Sequence, residues 1–305
     1  KGDFFEHRKY VAIKTLYRTR VFFLEKLREY GMTMDIIPGN HDVVYKQSND
    51  LCSLIESIKY FDDVVNLYME PVVNDYDGLK IALLPWMNQT NYDDSLKFIH
   101  TANADILAAH LELSGFEMMK GAPVMSHGLS ADMFKRYEMV LTGHYHTKST
   151  KGNIHYLGTQ FELSWSDSND PKYFHILDTN SRELLPVRNP LTLFNKIFYN
   201  DDPKIKLPSN LKGSFVKIIA TSKKDPRKFD AFIDRVLKKD PFDLKIIDSF
   251  DEFLGGSVAD ENLDLVDTHS LLNTYVDATD TDLDKDRIKT KLHELYLEAQ
   301  QSDAL

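Results

Sequence analysis

Hydrophobic and polar positions alternate with helical and strand periods along residues 1–178. Helical spacing predicts helices over residues 14–30, 48–60, 93–103 and 130–137. Short apolar runs predict strands at residues 34–37, 64–67, 71–74, 79–86, 106–109 and 139–142, with a hairpin turn at Asp77-Gly78. Residues 153–178 are predicted to form antiparallel strands around a polar loop. This mixture indicates helices packed outside a two-sheet core.

The pattern changes beyond residue 185. Strands are predicted at 193–199, 214–221 and 243–247, with an amphipathic helix at 226–239. Residues 251–262 have the composition of an acidic linker, and two short amphipathic helices follow at 263–277 and 283–299. The sequence thus predicts a larger α/β domain over 1–185, a small α+β module over 186–250, and a helical tail over 263–305.

Composition excludes several classes of protein. The 305 residues are 42% hydrophobic, which is enough for a packed core. No apolar run reaches the roughly 18 residues that a membrane span requires, so we expect no membrane association. Cys52 is the single cysteine. An intrachain disulfide is therefore excluded, and a cytoplasmic location is favoured.

Taken alone, the net charge of -10 argues against nucleic acid as a partner, but the charge is unevenly distributed. Residues 251–305 hold 14 Asp or Glu against 4 Lys or Arg. Residues 186–250 hold 14 Lys or Arg against 8 Asp. The middle of the chain is therefore basic, although the chain as a whole is acidic.

Four short segments place Asp, Asn and His at the ends of predicted strands: Gly2-Asp3, Gly39-Asn40-His41-Asp42, Ala109-His110 and Gly143-His144-Tyr145-His146. Carboxylate and imidazole are the ligands of divalent metals that activate water. Each preceding Gly allows a turn into a shared crevice. His144 and His146 would lie on one side of the chain if its backbone stayed extended.

Each segment alone also has an ordinary explanation. A histidine at a strand end is common, and Asn and Asp favour turns for purely structural reasons. Their occurrence together, each after an apolar run, is far more specific than any one segment. The set therefore favours a metal site built for hydrolysis.

These residues resemble the motifs of the calcineurin-like metallophosphoesterases. Within that family the resemblance is to the nuclease subunits of SbcCD- and MRN-type recombination complexes, including the recombination endonuclease subunits of T-even-like phages. The segments that carry it are Gly2-Asp3-Phe4-Phe5-Glu6-His7-Arg8, Gly39-Asn40-His41-Asp42, Ala109-His110-Leu111-Glu112-Leu113, Gly143-His144-Tyr145-His146-Thr147, Pro85-Trp86-Met87 and Tyr156-Leu157-Gly158-Thr159. The resemblance implies a four-layer α/β/β/α sandwich, a small α+β DNA-binding cap and a C-terminal helical tail.

The resemblance also implies two divalent metal ions, Mn²⁺ with Mg²⁺ as the alternative. Asp3 would bridge both ions, Asn40, His110 and His144 would complete one site, and His146 would join the other. His41 would lie beside the scissile phosphate, where it stabilises charge or protonates the leaving oxygen, and Asp42 would orient His41.

One departure from the family concerns the first metal. The family carries an Asp-x-His motif upstream of its Gly-Asp segment, and residues 1–305 do not contain it. We expect the N-terminal strand and this first metal motif to be missing from the domain at 1–185. We therefore expect weak or no cleavage by these residues alone.

Two further sets of residues are assigned to partners. We expect DNA phosphates to be bound by Arg8, Lys223, Lys224, Arg227 and Lys228, although a solvated lysine-rich surface is the alternative. The resemblance implies that the tail binds the coiled coil of an SbcC/Rad-type ABC ATPase through Leu265, Leu272, Ile288, Leu292 and Leu295, although these could instead pack on the body. It also implies a homodimer, formed through the helices near 14–30 and 48–60.

The predicted function is that of a Mn²⁺-dependent DNA exo- and endonuclease subunit of an ATP-gated complex. This complex would process double-strand breaks during recombination in the cytoplasm, that of the host if the chain is viral. No Gly-x-x-x-x-Gly-Lys-Ser/Thr loop is present, so ATP hydrolysis falls to the partner. Two alternatives remain: a non-catalytic DNA-clamping subunit, and a metallophosphatase. Asp42, where protein phosphatases typically have Glu, argues against the second.

Overall fold

The computed structural model describes residues 2–120, 124–202, 204–248, 276–277 and 284–289. Its internal contacts divide the chain into two compact units. One unit comprises Lys1–Leu163 and Asn169–Leu191, and the other comprises Ser164–Ser168 and Thr192–Leu305.

The first unit begins with one continuous helical segment. It consists of α1 (Ile13–Thr19), a π-helical turn (Arg20–Leu24) and α2 (Glu25–Glu29). Two short parallel strands follow, β1 (Met34–Ile36) and β2 (Val65–Leu67), with α3 (Ser53–Ser57) between them in sequence. Their shared core includes Leu24, Ile36, Leu54 and Val65.

The helix predicted over 48–60 is mostly wrong, since only Ser53–Ser57 is helical. Val43 pairs with Cys52 as an antiparallel bridge, and the Val44 N–H donates to the Leu51 carbonyl at 3.0 Å. These bonds close the preceding residues into a loop, so the helix begins only at Ser53.

A six-stranded sheet forms the larger layer of this unit. Its strands are β3 (Val72–Tyr76), β4 (Leu79–Leu84), β5 (Ile106–Ala109), β6 (Met139–Thr142), β7 (Ser149–Lys151) and β8 (Ile154–Tyr156). They lie in the order β3-β4-β5-β6-β8-β7. The inner four strands are parallel, and the edge strands β3 and β7 run antiparallel to their neighbours. The apolar runs of β5 and β6 are largely buried, as the inner strands of a parallel sheet require.

Three local features complete the first unit. The predicted turn at Asp77-Gly78 is confirmed, with φ of 54° and 88°. Helix α4 is Tyr92–Thr101, but the helix predicted at 130–137 is a 3₁₀ turn, Ala131–Phe134. The Asn153 side chain donates to the carbonyls of Phe134 (2.9 Å) and Tyr137 (2.8 Å). The C-terminal carbonyls are thus satisfied without a longer helix.

The antiparallel pairing predicted within residues 153–178 is also wrong. Strand β8 pairs with β6 and β7, whereas β9 (Tyr173–Leu177) pairs with β10 (Leu184–Arg188). Because β10 pairs with β9, the first unit extends to Leu191 rather than ending at the predicted boundary of 185.

The second unit contains three parallel strands and one helix. The strands β11 (Phe194–Asn200), β12 (Phe215–Ser222) and β13 (Asp243–Asp248) lie in that order, and α5 (Pro226–Leu237) connects the last two. The Asp225 carboxylate caps α5 by accepting the N–H bonds of Arg227 and Lys228. The parallel β12-α5-β13 connection makes this module α/β rather than the predicted α+β, because parallel neighbours need a crossover.

The α/β class is confirmed for both units, and the four-layer arrangement stays a prediction. No helix in the described part of the chain has the length and apolar character needed to cross a bilayer. The predicted linker at 251–262 and the predicted contacts Leu265, Leu272, Leu292 and Leu295 lie outside the described residues. Ile288 lies in a short helical stretch, 285–289, and is half-buried.

Candidate metal centre

Three of the predicted metal ligands meet at the ends of strands in the first unit. His110 follows β5 directly, and His144 follows β6 after one glycine. Since β5 and β6 are parallel neighbours, their ends bring the two imidazoles to the same edge of the sheet, with ring centroids 5.2 Å apart. Asp3 joins them, and one ligand atom from each of the three lies within 4.8 Å of the others.

The backbone around the cluster is compact and strained. Asp3 and His144 have φ of 54° and 80°, in the left-handed region that side chains rarely adopt. A Cβ on Gly2 would lie 2.5 Å from the Gly39 Cα atom, so only glycine allows these two segments to approach so closely. The glycines that the sequence analysis assigned to turns therefore serve, at positions 2 and 39, mainly to permit this contact.

The side-chain amide of Asn40 lies at the centre of the cluster. One of its terminal atoms is 2.9 Å from His110 Nε2, 2.9 Å from His144 Nδ1 and 3.2 Å from Asp3 Oδ2. An amide has two N–H bonds, so with the nitrogen in that place it can donate to two of these three groups at a time, while its oxygen accepts from Arg8 Nη2 at 3.0 Å. Half a turn of the amide would instead present its oxygen to the same three groups.

Charge in the cluster suits a cation. Burial would raise the pKa of Asp3, but the His110 hydrogen bond and charge, together with the His41 N–H, lower it to about 2. Burial and the neighbouring His110 lower the pKa of His144 to about 3. At neutral pH, Asp3 is therefore an anion and His144 a neutral imidazole, the states in which these side chains bind metals.

The residues present thus fit a divalent metal ion. A carboxylate oxygen, two imidazole nitrogens and an amide oxygen are a donor set that Mn²⁺ and similar ions accept. Asp3, His110 and His144 face the terminal amide atom of Asn40, so these acceptors are satisfied either by the Asn40 N–H bonds or by a cation that the Asn40 oxygen would also bind.

His41 and Asp42, the predicted catalytic pair, have separate partners. The His41 backbone N–H donates to Asp3 Oδ1 at 2.8 Å, and its ring Nδ1 lies 2.7 Å from the Glu6 carbonyl oxygen. Asp42 is fully buried and accepts the N–H bonds of Phe4, Phe5 and Gly39. The partner that orients the His41 ring is therefore the Glu6 carbonyl, and the prediction that Asp42 does so is wrong.

Burial raises the pKa of Asp42, a shift that the Gly39 N–H bond opposes and the charge of Asp3 reinforces. The carboxylate holds the segment that carries Asp3 against the turn that carries Asn40. Its role in this structure is to fix the backbone of the cluster.

His146 does not belong to the group formed by Asp3, His110 and His144. Its backbone N–H donates to the Met118 carbonyl, and its own carbonyl accepts from the Thr159 N–H and from Lys172 Nζ. Lys172 also forms a buried ion pair with Asp170 at 2.8 Å, and Asp170 accepts from Thr147. The loop after His144 is therefore held in place by several hydrogen bonds. A ligand role for His146 stays a prediction.

Trp86 is a neighbour of the cluster for which the sequence analysis predicted no role. Its ring lies 5.6 Å from that of His110 and 5.4 Å from that of His144, measured between centroids. Side chains of Asn49 and Asn91 donate to its carbonyl oxygen. Two sequence signals pointed to Trp86: its place in the Pro85-Trp86-Met87 segment of the resemblance, and its position just after β4, the strand beside β5.

The predicted DNA contacts fall in both units. Arg8 lies in the first unit, with its guanidinium at the Asn40 amide. Lys224, Arg227 and Lys228 are exposed around the first turn of α5 in the second unit, whereas Lys223 Nζ lies over the Phe229 ring at 4.5 Å. Lys228 pairs with Asp225 at 3.4 Å.

Comparison with known proteins gives one clear relative. No model of a protein family matches the chain. "Exonuclease subunit 1" of Enterobacteria phage T4 is 31% identical to it over 302 residues, which span 98% of this chain and 86% of the phage protein. The matched span of 98% of the chain covers both units. The chain therefore belongs to the family of phage T4 exonuclease subunit 1.

Proposed function

We propose that this protein is the nuclease subunit of a phage DNA-processing complex, and that it cleaves phosphodiester bonds with two divalent metal ions, Mn²⁺ in the first instance. The observation that carries the proposal is the meeting of Asp3, Asn40, His110 and His144 at one point in a member of an exonuclease-subunit family. The four-layer metallophosphoesterase sandwich, and a location in the host cytoplasm, are parts of the same proposal.

The residues of the cluster have separate tasks in this proposal. Asp3, Asn40, His110 and His144 would hold one metal ion, and His146 with Asp3 would contribute to a second. Metal ions bound there would activate water and neutralise charge on the phosphate oxygens. Arg8, whose guanidinium already lies at Asn40, would place a fixed positive charge beside the phosphate.

We assign to His41 the transfer of a proton to the leaving oxygen. His41 is half-buried, and its ring Nδ1 is bonded to the Glu6 carbonyl oxygen. A carbonyl oxygen can only accept, so Nδ1 carries a proton and Nε2 is the nitrogen free to take up and deliver one. The anchored ring fixes which nitrogen faces the substrate.

Cleavage assays test the proposed function. The chain is assayed as residues 1–305 and with an added upstream segment that carries an Asp-x-His motif. The substrates are end-labelled duplex DNA, single-stranded DNA and a phosphate monoester, each with Mn²⁺, Mg²⁺ or EDTA. We expect weak or no cleavage by residues 1–305, and Mn²⁺-dependent DNA cleavage by the extended chain. Hydrolysis of the monoester alone would indicate a phosphatase. DNA binding without any hydrolysis would indicate a non-catalytic clamp.

We propose that the second unit binds the DNA backbone through the exposed cations at the first turn of α5. Lys224 and Arg227 carry no ion pair among the described residues, whereas Lys228 is paired with Asp225. Contacts of this kind hold phosphates without reading sequence.

Charge reversal at Lys224→Glu and Arg227→Glu is expected to weaken DNA binding. Each phosphate contact contributes about 0.9 to the slope of log K against log salt, so the slope should flatten by about 2. Lys223 is left in place because it packs on Phe229. The control, Lys238→Glu with Lys239→Glu, makes the same charge change at the exposed C-terminal end of α5. Equal slopes for the two variants, measured by fluorescence anisotropy, would contradict this assignment.

We propose that the first helical segment forms the homodimer. Ile13, Tyr17 and Phe22 are 84%, 54% and 68% exposed, which is unusual for large apolar side chains. An open cleft of about 360 Å³ lies beside them, lined in part by Leu24 and Phe61. A second copy of the chain would cover this surface.

The double variant Ile13→Glu with Phe22→Glu is expected to shift the protein from dimer to monomer in light scattering after size exclusion. Two buried charges opposite their own copies would cost several kcal/mol of association energy. Phe174 and Ile176 are about half exposed on β9 and serve as the matched control. A dimer that survives the first pair of changes, or is lost with the control pair, would refute the assignment.

We further propose that the tail over 263–305 binds an ABC-type ATPase through its coiled coil, with Leu265, Leu272, Ile288, Leu292 and Leu295 as contacts. The word "subunit" in the name of the phage T4 relative supports a complex for that protein. The amphipathic pattern of the tail supports a helical partner.

A further inference from the structure

Two tyrosines lie directly behind the imidazoles of the candidate metal centre. Tyr145 and Tyr156 are 1% and 0% exposed, and their rings are stacked at 4.4 Å with 15° between the planes. Tyr145 follows His144 in sequence, and its ring centroid is 5.3 Å from that of His144. Tyr156 is the last residue of β8, which pairs with β6.

Both hydroxyl groups hold the segment that follows His110. Tyr145 Oη donates to the Leu113 carbonyl at 3.0 Å, and Tyr156 Oη donates to the Leu111 carbonyl at 2.9 Å. Tyr156 Oη also accepts the Leu113 N–H at 3.0 Å. Thr142 adds a fourth link, because its Oγ1 accepts the Leu111 N–H at 3.0 Å.

The bonds of Tyr145 and Thr142 join the two segments that carry the imidazoles, and those of Tyr156 join the His110 segment to β8, which pairs with the strand before His144. Leu111 and Leu113 move with His110, whereas Tyr145 and Thr142 flank His144 in the chain. The backbone of His144 is strained, with φ of 80°, and such a conformation persists only where its surroundings enforce it. The stacked rings and the four hydrogen bonds hold this conformation in place. A pair of phenylalanines would keep the stacking but lose the three bonds of the tyrosine hydroxyls.

We propose that Tyr145 and Tyr156 are positioning residues that set the separation of His110 and His144 for a divalent metal ion. The inference rests on the metal-binding part of the proposed function and goes beyond it, since neither tyrosine touches the metal or the substrate. Groups that orient ligands in this way typically change metal affinity by about 10–100-fold when removed.

The test compares Tyr145→Phe and Tyr156→Phe with Tyr137→Phe in the full chain. Tyr137 is a matched control: it is 2% exposed, belongs to the same hydrophobic core, and donates its hydroxyl to the Ile99 carbonyl at 2.8 Å. Co²⁺ is the probe, because its visible spectrum reports both occupancy and geometry. Thermal unfolding in EDTA measures the stability of each variant without metal.

We expect Tyr145→Phe and Tyr156→Phe to bind Co²⁺ about 10–100-fold more weakly than the wild type, with an altered visible spectrum. Tyr137→Phe should bind Co²⁺ as the wild type does, although it also loses a buried hydrogen bond. If a tyrosine variant does not fold, Thr142→Val, which removes the bond to Leu111, takes its place with the same expected result.

Wild-type Co²⁺ affinity and spectrum in both tyrosine variants would overturn the inference. An equal loss in Tyr137→Phe, or the absence of Co²⁺ binding by the wild type, would do the same. Tyrosine-dependent Co²⁺ binding together with no DNA cleavage by the chain that carries the added Asp-x-His segment would refute the proposed nuclease function and support the inference.

Discussion

Replacing Asp3 by asparagine is expected to weaken the binding of Mn²⁺ by more than about 100-fold. A loss of about 100-fold in metal affinity is the upper end of the range for removing a group that only orients a ligand. Removing a charged ligand itself should weaken metal binding further. In a chain that cleaves DNA, the same substitution should reduce cleavage to the level seen in EDTA.

The physical reason is the charge of the cluster. Asp3 supplies the one carboxylate in the group with His110 and His144, and its pKa of about 2 keeps it ionised. An asparagine would place either a neutral oxygen or an N–H group toward the imidazoles. It would also weaken the bond that Asp3 Oδ1 accepts from the His41 N–H.

Isothermal titration with Mn²⁺ measures this effect, with thermal unfolding in EDTA as the check on folding. Asp63→Asn is the control, because this substitution removes the same charge at an exposed site. Asp63 forms a salt bridge with Arg28. Unchanged Mn²⁺ affinity in Asp3→Asn would show that the metal, if bound, lies elsewhere.

The strand ends that carry the cluster are the part of the fold that the sequence predicts best. Strands β5 and β6 are short runs of mainly apolar residues, and each is followed within two residues by a histidine of the cluster. Local pattern is therefore sufficient for them. It is insufficient at 48–60, where helical spacing is overridden by the pairing of Val43 with Cys52, nine residues away.

The residue types of the site could also be predicted, but their partners could not. Asp42 is the clearest case, because the resemblance implied that it orients His41, while two of its hydrogen bonds go to Phe4 and Phe5, far away in the chain. Trp86 lies beside the two imidazoles, and Tyr156 bonds the segment after His110, only because β4 and β8 lie on either side of the β5-β6 pair. Strand order depends on tertiary structure, and one sequence does not carry it.

Replacing Asp42 by alanine is expected to be the most destabilising single change in the first unit. The substitution leaves the N–H groups of Phe4, Phe5 and Gly39 without their acceptor. A buried donor without a partner costs about 1–3 kcal/mol, so we expect a loss of about 3 kcal/mol or more in the free energy of unfolding. Asp42→Asn keeps one acceptor oxygen but turns an N–H group toward the other donors. Its free energy of unfolding should lie between those of the wild type and Asp42→Ala.

Urea unfolding in EDTA, followed through the fluorescence of Trp86 in a Trp165→Phe background, measures this loss in the first unit. Asp178→Ala is the control, since Asp178 also accepts backbone N–H bonds, from Asn180 and Ser181, but in an exposed turn where water replaces it. The loss of unfolding free energy in Asp178→Ala should be much smaller. Because Asp42 holds the Asp3 segment against the Asn40 turn, Asp42→Ala should also lose Mn²⁺ affinity at temperatures where it remains folded. Normal stability with lost metal binding would instead give Asp42 a direct place among the ligands.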